Sequence, residues 1–461
     1  MFEENIIMDT DSYKYSHYLQ QEEGTTSVFS YLESRIGSRY GHVLFVGLKY
    51  YLRKLEERIT VEMVEEAKEF AAGHGEPFNY EGWMYIAKTL KGKLPLEIRA
   101  VEEGTIVPVN NVLLTVKNTD PKCWWLTSWV ETFLMRIWYP VTVSTRSWHL
   151  KRMLMKYIAD TSDNPDQIYF SLHDFGARGM TSQESAALAG MAHLVNFRGS
   201  DTIVGVRLAN KLYHEKMAGQ SIPASEHTTI ISWGKDREED AYRNMIKKFS
   251  KPGSLFAVVS DSYDLDNAVK NLWGGKLKTE ILKGGGTLVI RPDSGNPAEV
   301  VLRTLKNLEE KFGITYNTKA KKILRNVKVI QGDGIDEESL PEICETVTRA
   351  GYAMDNLAFG MGAGLGQKGI DRDTQRFAYK ASEVMVDGQA RAISKNPADD
   401  ATKASKAGKQ DLVYRDGRIQ TIVGENSFGS LLKVVYRNGD MTPEADITFA
   451  KVRENSERFS L

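Results

Sequence analysis

The stretch Leu255-Phe-Ala-Val-Val-Ser-Asp-Ser-Tyr-Asp264 joins a run of apolar residues to a dense polar cluster. The same plan, an apolar run followed by polar or glycine-rich residues, recurs at Ile168–Leu172, Thr287–Ile290, Val327–Ile330 and Asn356–Phe359. Helical patterns such as Pro297–Phe312 and Glu337–Ala350 lie between these runs. Strands that alternate with helices predict a parallel sheet. Because so many strands end in candidate functional residues, the pattern favours an α/β barrel over an open sheet with one switch point.

The regions on either side of this pattern predict a second domain. Up to about residue 150, short extended segments at 28–32, 96–101 and 112–116 are mixed with helical ones, which is typical of an α+β domain. Strand-like segments return after about residue 380, and 394–410 has the composition of an exposed loop. We expect this tail to pack on the N-terminal region. The predicted division is an α+β domain from 1–150 and 381–461, and a barrel from 151–380.

Composition excludes several classes of protein. Lys and Arg number 60 against 61 Asp and Glu, so the chain lacks the basic bias of nucleic-acid or anionic-membrane binders. The most apolar stretch, residues 123–143, carries Glu131 and Arg136 and therefore predicts a buried helix, not a membrane span. Two distant cysteines and the lack of a signal-peptide pattern favour a reducing, cytoplasmic location.

Three carboxylates are the first candidates for chemistry. Asp264, Asp293 and Asp333 each follow a different predicted strand. A lone Asp in such a place is commonly a turn residue or a helix cap, and that alternative stays open for each. Carboxylates that converge on one barrel mouth would suit ribose hydroxyls or a hydrated Mg²⁺, which binds through few protein ligands plus substrate phosphates.

Glycines and arginines suggest an anion site at the same mouth. The glycine-rich run from Gly360 to Gly366 follows the last predicted barrel strand, where barrels often bind phosphate, although a tight turn is the alternative. Arg178 and Arg291 suit an anion or a planar ring, or else a structural ion pair. Phe175 could cover a flat heterocycle. His227, taken alone, is typical of a structural histidine.

Taken together, these motifs resemble the nicotinamide phosphoribosyltransferase family. The matching stretches are Thr10-Asp-Ser-Tyr-Lys, Gly82-Trp, Leu94-Pro-Leu-Glu-Ile, Asn118-Thr-Asp-Pro, His173-Asp-Phe-Gly, His193-Leu-Val-Asn-Phe, Glu226-His, Val259-Ser-Asp-Ser-Tyr-Asp, Arg291-Pro-Asp-Ser-Gly-Asn-Pro, Gln331-Gly-Asp-Gly and Gln367-Lys. They keep the family's order from residue 10 to about residue 370, and the tail beyond about residue 410 matches poorly.

The resemblance implies a type II phosphoribosyltransferase fold, an irregular α/β barrel with an α+β domain, in a homodimer with two active sites at its interface. The implied reaction joins nicotinamide to phosphoribosyl pyrophosphate in NAD salvage, with Mg²⁺ and with ATP as co-substrate. Two alternatives are kept: a nicotinate enzyme of the same fold, and a non-catalytic sugar-phosphate-binding or interaction protein.

The resemblance also implies residue roles. For nicotinamide they are Phe175 with Tyr13 of the partner chain around the ring, Arg178 beside it, Asp201 on the carboxamide, and Ser221 and Ser260 lining the tunnel. For the ribose and the metal–pyrophosphate assembly they are Asp264, Asp293, Gly332 and Asp333, and for the 5′-phosphate Arg291 and the backbone around Gly362. For the pyrophosphate side they are Arg35, Arg372 and Lys380, and for phosphorylation by ATP His227.

Two departures from the family pattern bear on these roles. Ala363 interrupts the family's run of consecutive glycines, which is tolerable unless its φ must be positive. One extra residue near 370–372 leaves the role of Arg372 less well defined.

Overall fold

The computed structural model describes residues 5–396 and 404–458, which form two compact units. Unit 1 combines the residues up to Thr145 with Lys211–Glu215 and the residues from Ile370 onward. Unit 2 consists of Arg146–Asn210 and Lys216–Gly369. Lys211–Glu215 belong to unit 1, whereas the sequence-based division places these residues in the barrel.

The strands are numbered in chain order. They are β1 (Thr25–Ser34), β2 (His42–Leu44), β3 (Leu96–Val101), β4 (Ile106–Pro108), β5 (Val112–Asn118), β6 (Leu172–Asp174), β7 (Leu255–Val259), β8 (Thr287–Arg291), β9 (Ile314–Tyr316), β10 (Lys322–Leu324), β11 (Val327–Gln331), β12 (Leu357–Met361), β13 (Phe377–Val386), β14 (Gln389–Ala392), β15 (Gln410–Arg415), β16 (Arg418–Val423), β17 (Leu432–Arg437) and β18 (Asp440–Met441).

The α-helices are numbered in the same way. They are α1 (Leu48–Leu55), α2 (Val61–His74), α3 (Tyr80–Lys88), α4 (Leu126–Met135), α5 (Trp138–Thr161), α6 (Gln183–His193), α7 (Ile203–Leu212), α8 (His227–Ile231), α9 (Glu238–Phe249), α10 (Leu265–Asn267), α11 (Lys278–Gly284), α12 (Pro297–Phe312), α13 (Ser339–Arg349), α14 (Ala363–Gly366) and α15 (Phe449–Arg458). A π-helix, Ala268–Lys276, follows α10 directly.

Unit 2 is built around a parallel sheet in the order β6-β12-β11-β8-β7. Isolated parallel bridges continue this order from β6 to β7: Asp174 with Ser200, Gly199 with Gln220, and Ala224 with Ala257. The ring of strands therefore closes through two irregular segments, which confirms the predicted irregular α/β barrel. Inside it, Ala257, Val289 and Ile330 form a buried cluster on neighbouring strands.

The barrel elements follow from local sequence signals. The runs at β7, β8 and β11 are almost continuously apolar, as expected for strands covered on both faces. Helix α12 begins after Asn296, whose side chain accepts the Glu299 N–H at 3.1 Å, has Pro297 at its first position, and ends at Gly313 with φ +75°. Those caps explain why its predicted bounds are confirmed.

One predicted barrel strand, Ile168–Leu172, is wrong in all but its last residue. Pro165–Phe170 forms a 3₁₀ helix, and β6 begins only at Leu172. Asn164 starts this helix by accepting the Asp166 N–H at 3.0 Å, with Pro165 next in the chain. An Asn-Pro pair is a helix-start signal that outweighs the apolar character of the residues after it.

Unit 1 contains a seven-stranded sheet in the order β14-β13-β1-β5-β3-β17-β18. Its pairs are antiparallel, and the tail supplies β13 next to β1 and β17 next to β3. The prediction that the tail packs on the N-terminal region is therefore confirmed. Within the predicted loop 394–410, residues 397–403 lie outside the described residues, and Gln410 already begins β15. Among the described helices, none combines the length and apolar character needed to cross a bilayer.

Candidate active site

Most of the predicted site residues lie at the carboxyl ends of the barrel strands of unit 2. Phe175 and Arg178 follow β6, Ser260 and Asp264 follow β7, Arg291 ends β8 and Asp293 follows it, Gly332 and Asp333 follow β11, and Gly362 follows β12. Parallel strands place these ends at one edge of the sheet, so the structure brings the predicted residues to one mouth. Asp201 and Ser221 come from the irregular segments that close the ring.

The Phe175 ring occupies a slot made by two glycines. A Cβ atom added to Gly360 would lie 2.0 Å from the ring, and one added to Gly332 would lie 3.3 Å from it. The Phe175 N–H donates to the carbonyl oxygen of Met361 at 2.9 Å, which fixes the backbone below the ring. The glycine at 360 is therefore required for close approach of the ring, a reason that differs from the phosphate contact suggested for this run.

Asp201 presents a carboxylate beside this slot. The Ser221 hydroxyl donates to Asp201 Oδ1 at 2.5 Å, and both residues are exposed. The Asp201 N–H donates to the Asp174 carbonyl oxygen at 2.9 Å, which ties the residue to the end of β6. One oxygen is thus oriented by a hydroxyl, and the carboxylate has lone pairs left to accept from a ligand N–H.

His227 stands at the start of α8 between two carboxylates. Its Nε2 is 3.1 Å from Asp261 Oδ1, and its Nδ1 is 3.8 Å from Asp293 Oδ2. The Asp261 side chain is only 5% exposed, and its second oxygen accepts from the Asp293 N–H at 3.0 Å and the Ser294 hydroxyl at 2.6 Å. Asp261 therefore joins the loop after β7 to the loop after β8 and orients the imidazole.

Sequence reasoning missed Asp261. It lies in the motif that begins at Val259, in which Asp264 is the candidate predicted from the sequence. The structure shows that Asp264 Oδ1 accepts the Asn267 N–H at 3.0 Å, so the helix-cap alternative holds for that oxygen. The signal that could have found Asp261 is its position two residues after the strand, where a side chain from the strand end faces the mouth.

Arg291 forms an ion pair at the same mouth. Its Nη2 and Nε lie 2.9 Å and 3.3 Å from Asp293 Oδ1, so the structural alternative considered for this arginine also applies. Ser260 is fully buried, and its hydroxyl donates to the Val258 carbonyl oxygen and accepts from Trp273 Nε1 at 3.1 Å. Within the described part of the chain, no three His, Cys, Asp or Glu side chains form a ready cluster for a metal ion.

A buried arginine donates hydrogen bonds to the main chain of the loop after β12. Arg146 donates to the carbonyl oxygens of Gly364 at 2.7 Å, Lys368 at 2.9 Å and Gly369 at 3.1 Å, although it is only 2% exposed. An arginine within a helical stretch gave no sequence signal for this contact. A Cβ added to Gly362 would meet nothing within 4 Å, so its backbone borders open space. Ala363 is not among the residues with positive φ, so its departure from glycine causes no strain.

A cavity of about 390 Å³ lies within the barrel. Its lining includes His173, Ser221, Val289, Ile330, Leu357 and Ala358. Burial lowers the pKa of His173 and of Lys328, which also faces the cavity, so their neutral forms are favoured relative to solution.

The remaining predicted residues belong to unit 1. Tyr13 is 54% exposed on the 3₁₀ helix Ser12–Leu19, and Arg372 is exposed beside Asp373. On β13, burial lowers the pKa of Lys380, and the charges of Arg35, Lys395 and Lys14 lower it further against the opposing charge of Glu131. The predicted roles of Tyr13, Arg35, Arg372 and Lys380 at the active site stay predictions, as do those of the residues in unit 2.

Comparison with known proteins identifies the family of this chain. A model of the nicotinate phosphoribosyltransferase (NAPRTase) family matches residues 170–440, and a model of the nicotinamide phosphoribosyltransferase N-terminal domain matches residues 5–98. A nicotinamide phosphoribosyltransferase of Xanthomonas campestris pv. campestris is 49% identical over 453 residues, 96% of each chain. One of Acinetobacter baylyi is 30% identical over 489 residues, 95% of each chain.

Two solved structures share the fold at low identity. A nicotinate-nucleotide pyrophosphorylase from Pyrococcus furiosus gives a TM-score of 0.65 at 16% identity, covering 99% of this chain and 96% of that one. Human nicotinic acid phosphoribosyltransferase gives 0.54 at 15% identity, covering 97% of this chain and 93% of that one. The chain therefore belongs to the nicotinate phosphoribosyltransferase family. Within it, the N-terminal match and the 49% relative place the chain with the nicotinamide phosphoribosyltransferases.

Proposed function

We propose that this chain transfers the phosphoribosyl group of phosphoribosyl pyrophosphate to nicotinamide, giving nicotinamide mononucleotide and pyrophosphate. The observation that carries the proposal is the pairing of a ring slot with an oriented carboxylate: Phe175 lies between glycines, and Asp201 beside it is held by Ser221. An ionised Asp accepts a hydrogen bond from an amide NH₂ but repels a carboxylate, so this pairing favours nicotinamide over nicotinate.

The reaction requires electrostatic help, not proton transfer on the nucleophile. The pyridine nitrogen attacks C1 of the ribose with its lone pair, the C1–oxygen bond breaks, and pyrophosphate leaves with those electrons. Carboxylates such as Asp293 and Asp333 face the positive charge that develops on the sugar, and fixed charges of this kind are usually the largest catalytic contribution. Stacking on Phe175 holds the ring in line for attack.

The donors at the mouth fit a hydrated Mg²⁺. Asp264, Asp293 and Asp333 are separate carboxylates at strand ends, which suits an ion that keeps most of its waters and is shared with pyrophosphate. When bound, the ion would neutralise charge on the leaving pyrophosphate.

In unit 1, Arg35 Nη2 is buried and has no hydrogen-bond partner within the described residues, so it is a donor suited to an anion.

ATP coupling through His227 forms part of the proposal. With Nε2 directed at Asp261, the ring is oriented, and transfer of the γ-phosphoryl group to a ring nitrogen would leave ADP and a phosphohistidine. The added negative charge beside Asp293 would favour binding of the metal–pyrophosphate assembly. A cytoplasmic homodimer, with Tyr13 and the basic residues of unit 1 completing the partner's site, is likewise proposed.

The dimer can be tested by complementation. Mixing an inactive Tyr13→Ala chain with an inactive Asp293→Ala chain should restore part of the activity, because one site in each mixed dimer would be intact. Subunit exchange is confirmed separately by differently tagged chains. Exchange without recovered activity would contradict shared sites.

The substrate choice is tested by kcat/KM for nicotinamide and nicotinate, measured as pyrophosphate release. A charge-assisted hydrogen bond contributes about 1.5–3 kcal/mol, roughly one to two factors of ten. We expect Asp201→Ser to lower the nicotinamide-to-nicotinate ratio by about that factor. Ser221→Ala, which removes only the orienting hydroxyl, should shift the ratio in the same direction by less. A ratio unchanged in Asp201→Ser would remove the basis for preferring nicotinamide, and no turnover of either pyridine by the unchanged protein would favour a binding protein.

A further inference from the structure

Asp174 is a buried carboxyl group that lies between the turn after β6, the segment that carries Asp201, and helix α6. It is the last residue of β6 and is 1% exposed. Phe175 follows it directly, and the exposed Asp201 lies on the adjoining segment of the barrel. A carboxyl group in such a place has a solvation cost that must be offset by specific contacts.

The main chain of Asp174 joins the ring-stacking segment to the amide-reading segment. Its N–H donates to the Gly199 carbonyl oxygen at 3.2 Å, and its carbonyl oxygen accepts from the Asp201 N–H at 2.9 Å. These two bonds bracket Ser200, with which Asp174 forms a parallel bridge. Phe175 and Asp201 are therefore both joined to Asp174, Phe175 by the peptide bond and Asp201 by a hydrogen bond.

The side chain of Asp174 fixes the turn on the other side. Its Oδ1 accepts the Gly176 N–H at 2.7 Å, which closes the turn that leads from Phe175 to Arg178. Its Oδ2 is enclosed, since a Cβ added to Gly190 of α6 would lie 3.1 Å from it and 3.2 Å from Thr202 Cγ2. The carboxyl group thus has one fixed orientation, set by the turn, by α6 and by the segment that carries Asp201.

Burial of the ionised Asp174 carboxyl group lowers the stability of the folded protein. Burial raises the pKa of Asp174 to about 6, the nearby charge of Asp201 raises it too, and the hydrogen bond from the Gly176 N–H acts in the opposite direction. An apolar residue would avoid that cost but could not accept the Gly176 N–H. A contact that stabilises a functional geometry at the expense of stability is typical of positions near a site.

We propose that Asp174 is a positioning residue for nicotinamide, which fixes the spacing between the ring slot at Phe175 and the carboxylate at Asp201. This inference rests on the proposed function, because it takes Phe175 and Asp201 as the groups that hold the two ends of the pyridine carboxamide. Asp174 does not touch the substrate; it acts through the two residues that do.

Steady-state kinetics of Asp174→Ala and Asp174→Asn test the proposal. The alanine variant loses the acceptor for Gly176, so we expect its KM for nicotinamide to rise about tenfold, the value of one hydrogen bond to a charged group. The KM for phosphoribosyl pyrophosphate and kcat should change less than about threefold. Asparagine keeps an acceptor oxygen in the same place and should restore the KM for nicotinamide to within about threefold of the unchanged protein.

A matched control separates positioning from general stability. Asn356 is also 1% exposed, and its Oδ1 accepts the Leu324 N–H at 2.7 Å at the opposite end of the barrel strands. Asn356→Ala should lower the melting temperature as Asp174→Ala does, without changing the ratio of the two KM values. If Asp174→Ala does not fold, Gly190→Ala is used, because its new methyl group would lie 3.1 Å from Asp174 Oδ2 as well as 3.0 Å from the Gly205 Cα. We expect this variant to raise the KM for nicotinamide more than the KM for phosphoribosyl pyrophosphate.

The outcomes are distinct. A folded Asp174→Ala protein with both KM values unchanged, or with both raised equally, overturns the positioning role. The same holds if Gly190→Ala, used in its place, leaves the two KM values in their original ratio. Failure of the unchanged protein to use nicotinamide at all would refute the proposed function instead.

Discussion

The interior of the barrel in unit 2 and its mouth differ in chemistry although the same strands form both. On β8, Val289 lines the cavity, whereas Arg291 pairs with Asp293 at the mouth. On β11 and the loop after it, Ile330 lines the cavity, whereas Gly332 contacts the Phe175 ring. Two residues along a strand are enough to pass from apolar packing to charged, hydrogen-bonded groups.

Residues that stabilise the barrel and residues that carry out the chemistry therefore occupy different positions along each strand. Apolar side chains within the barrel stabilise by burial, which depends on volume and tolerates similar shapes. Groups at the mouth depend on hydrogen bonds and charge, which fail when one partner is removed. Substitutions at the mouth should therefore change activity more than stability, and substitutions in the cavity wall should do the reverse.

The largest effect is expected from Asp293→Ala. This change leaves Arg291 without its partner and removes the carboxylate 3.8 Å from His227 Nδ1. Loss of one preorganised electrostatic group typically costs about 10²–10³ in rate, so kcat/KM should fall by that factor. The control is Glu239→Ala on α9, which breaks ion pairs to Arg243 and Lys276. Equal losses in the two variants would show that the mouth has no special sensitivity.

A second prediction concerns Asp174 and pH. Its ordinary pKa of 3.8 is raised by burial to about 6 in the folded protein. Between these values the folded state keeps a proton that the unfolded state releases, so the stabilising effect is complete below about pH 4 and is lost as pH rises through 6. The difference corresponds to about 3 kcal/mol.

Denaturant unfolding at several pH values measures this effect. The free energy of unfolding of the unchanged protein, relative to that of Asp174→Asn, should fall by up to about 3 kcal/mol between pH 4 and pH 6.5. Asparagine cannot ionise, so the subtraction cancels the other titrating groups. A constant difference across that range would show that Asp174 does not titrate there.

A third prediction tests the carboxylate that orients His227. Asp261→Asn keeps a polar group of the same size but removes the charge 3.1 Å from His227 Nε2. The rate with ATP should fall about tenfold, which corresponds to the loss of about 1.4 kcal/mol from one hydrogen bond. The slow rate without ATP should stay within about twofold of that of the unchanged protein. Acid-labile label transferred from ATP is measured in parallel. Full ATP stimulation in this variant would exclude an orienting role.

How much of this was predictable depends on the kind of signal. The bounds of β7, α12 and β3 are confirmed because local patterns and caps decide them. The barrel and the gathering of strand-end residues are confirmed because alternating strands and helices constrain the topology. Contacts between distant segments were not predictable: Asp261 with His227, or Arg146 with the loop after β12, depend on packing that no local pattern encodes.

The smallest effect is expected from Ile330→Val in the cavity wall. Ile330 is 5% exposed and packs with Ala257 and Val289, and the change removes one methylene-sized group from that cluster. Such a change costs about 0.5–1.5 kcal/mol of stability. Gly332 and Gly360 still form the slot for Phe175, so kcat/KM should stay within about twofold. The measurements are denaturant unfolding and pyrophosphate release on the same preparation. A loss of activity larger than tenfold with unchanged stability would mean that the cavity wall takes part in the chemistry, and the separation along each strand would not hold.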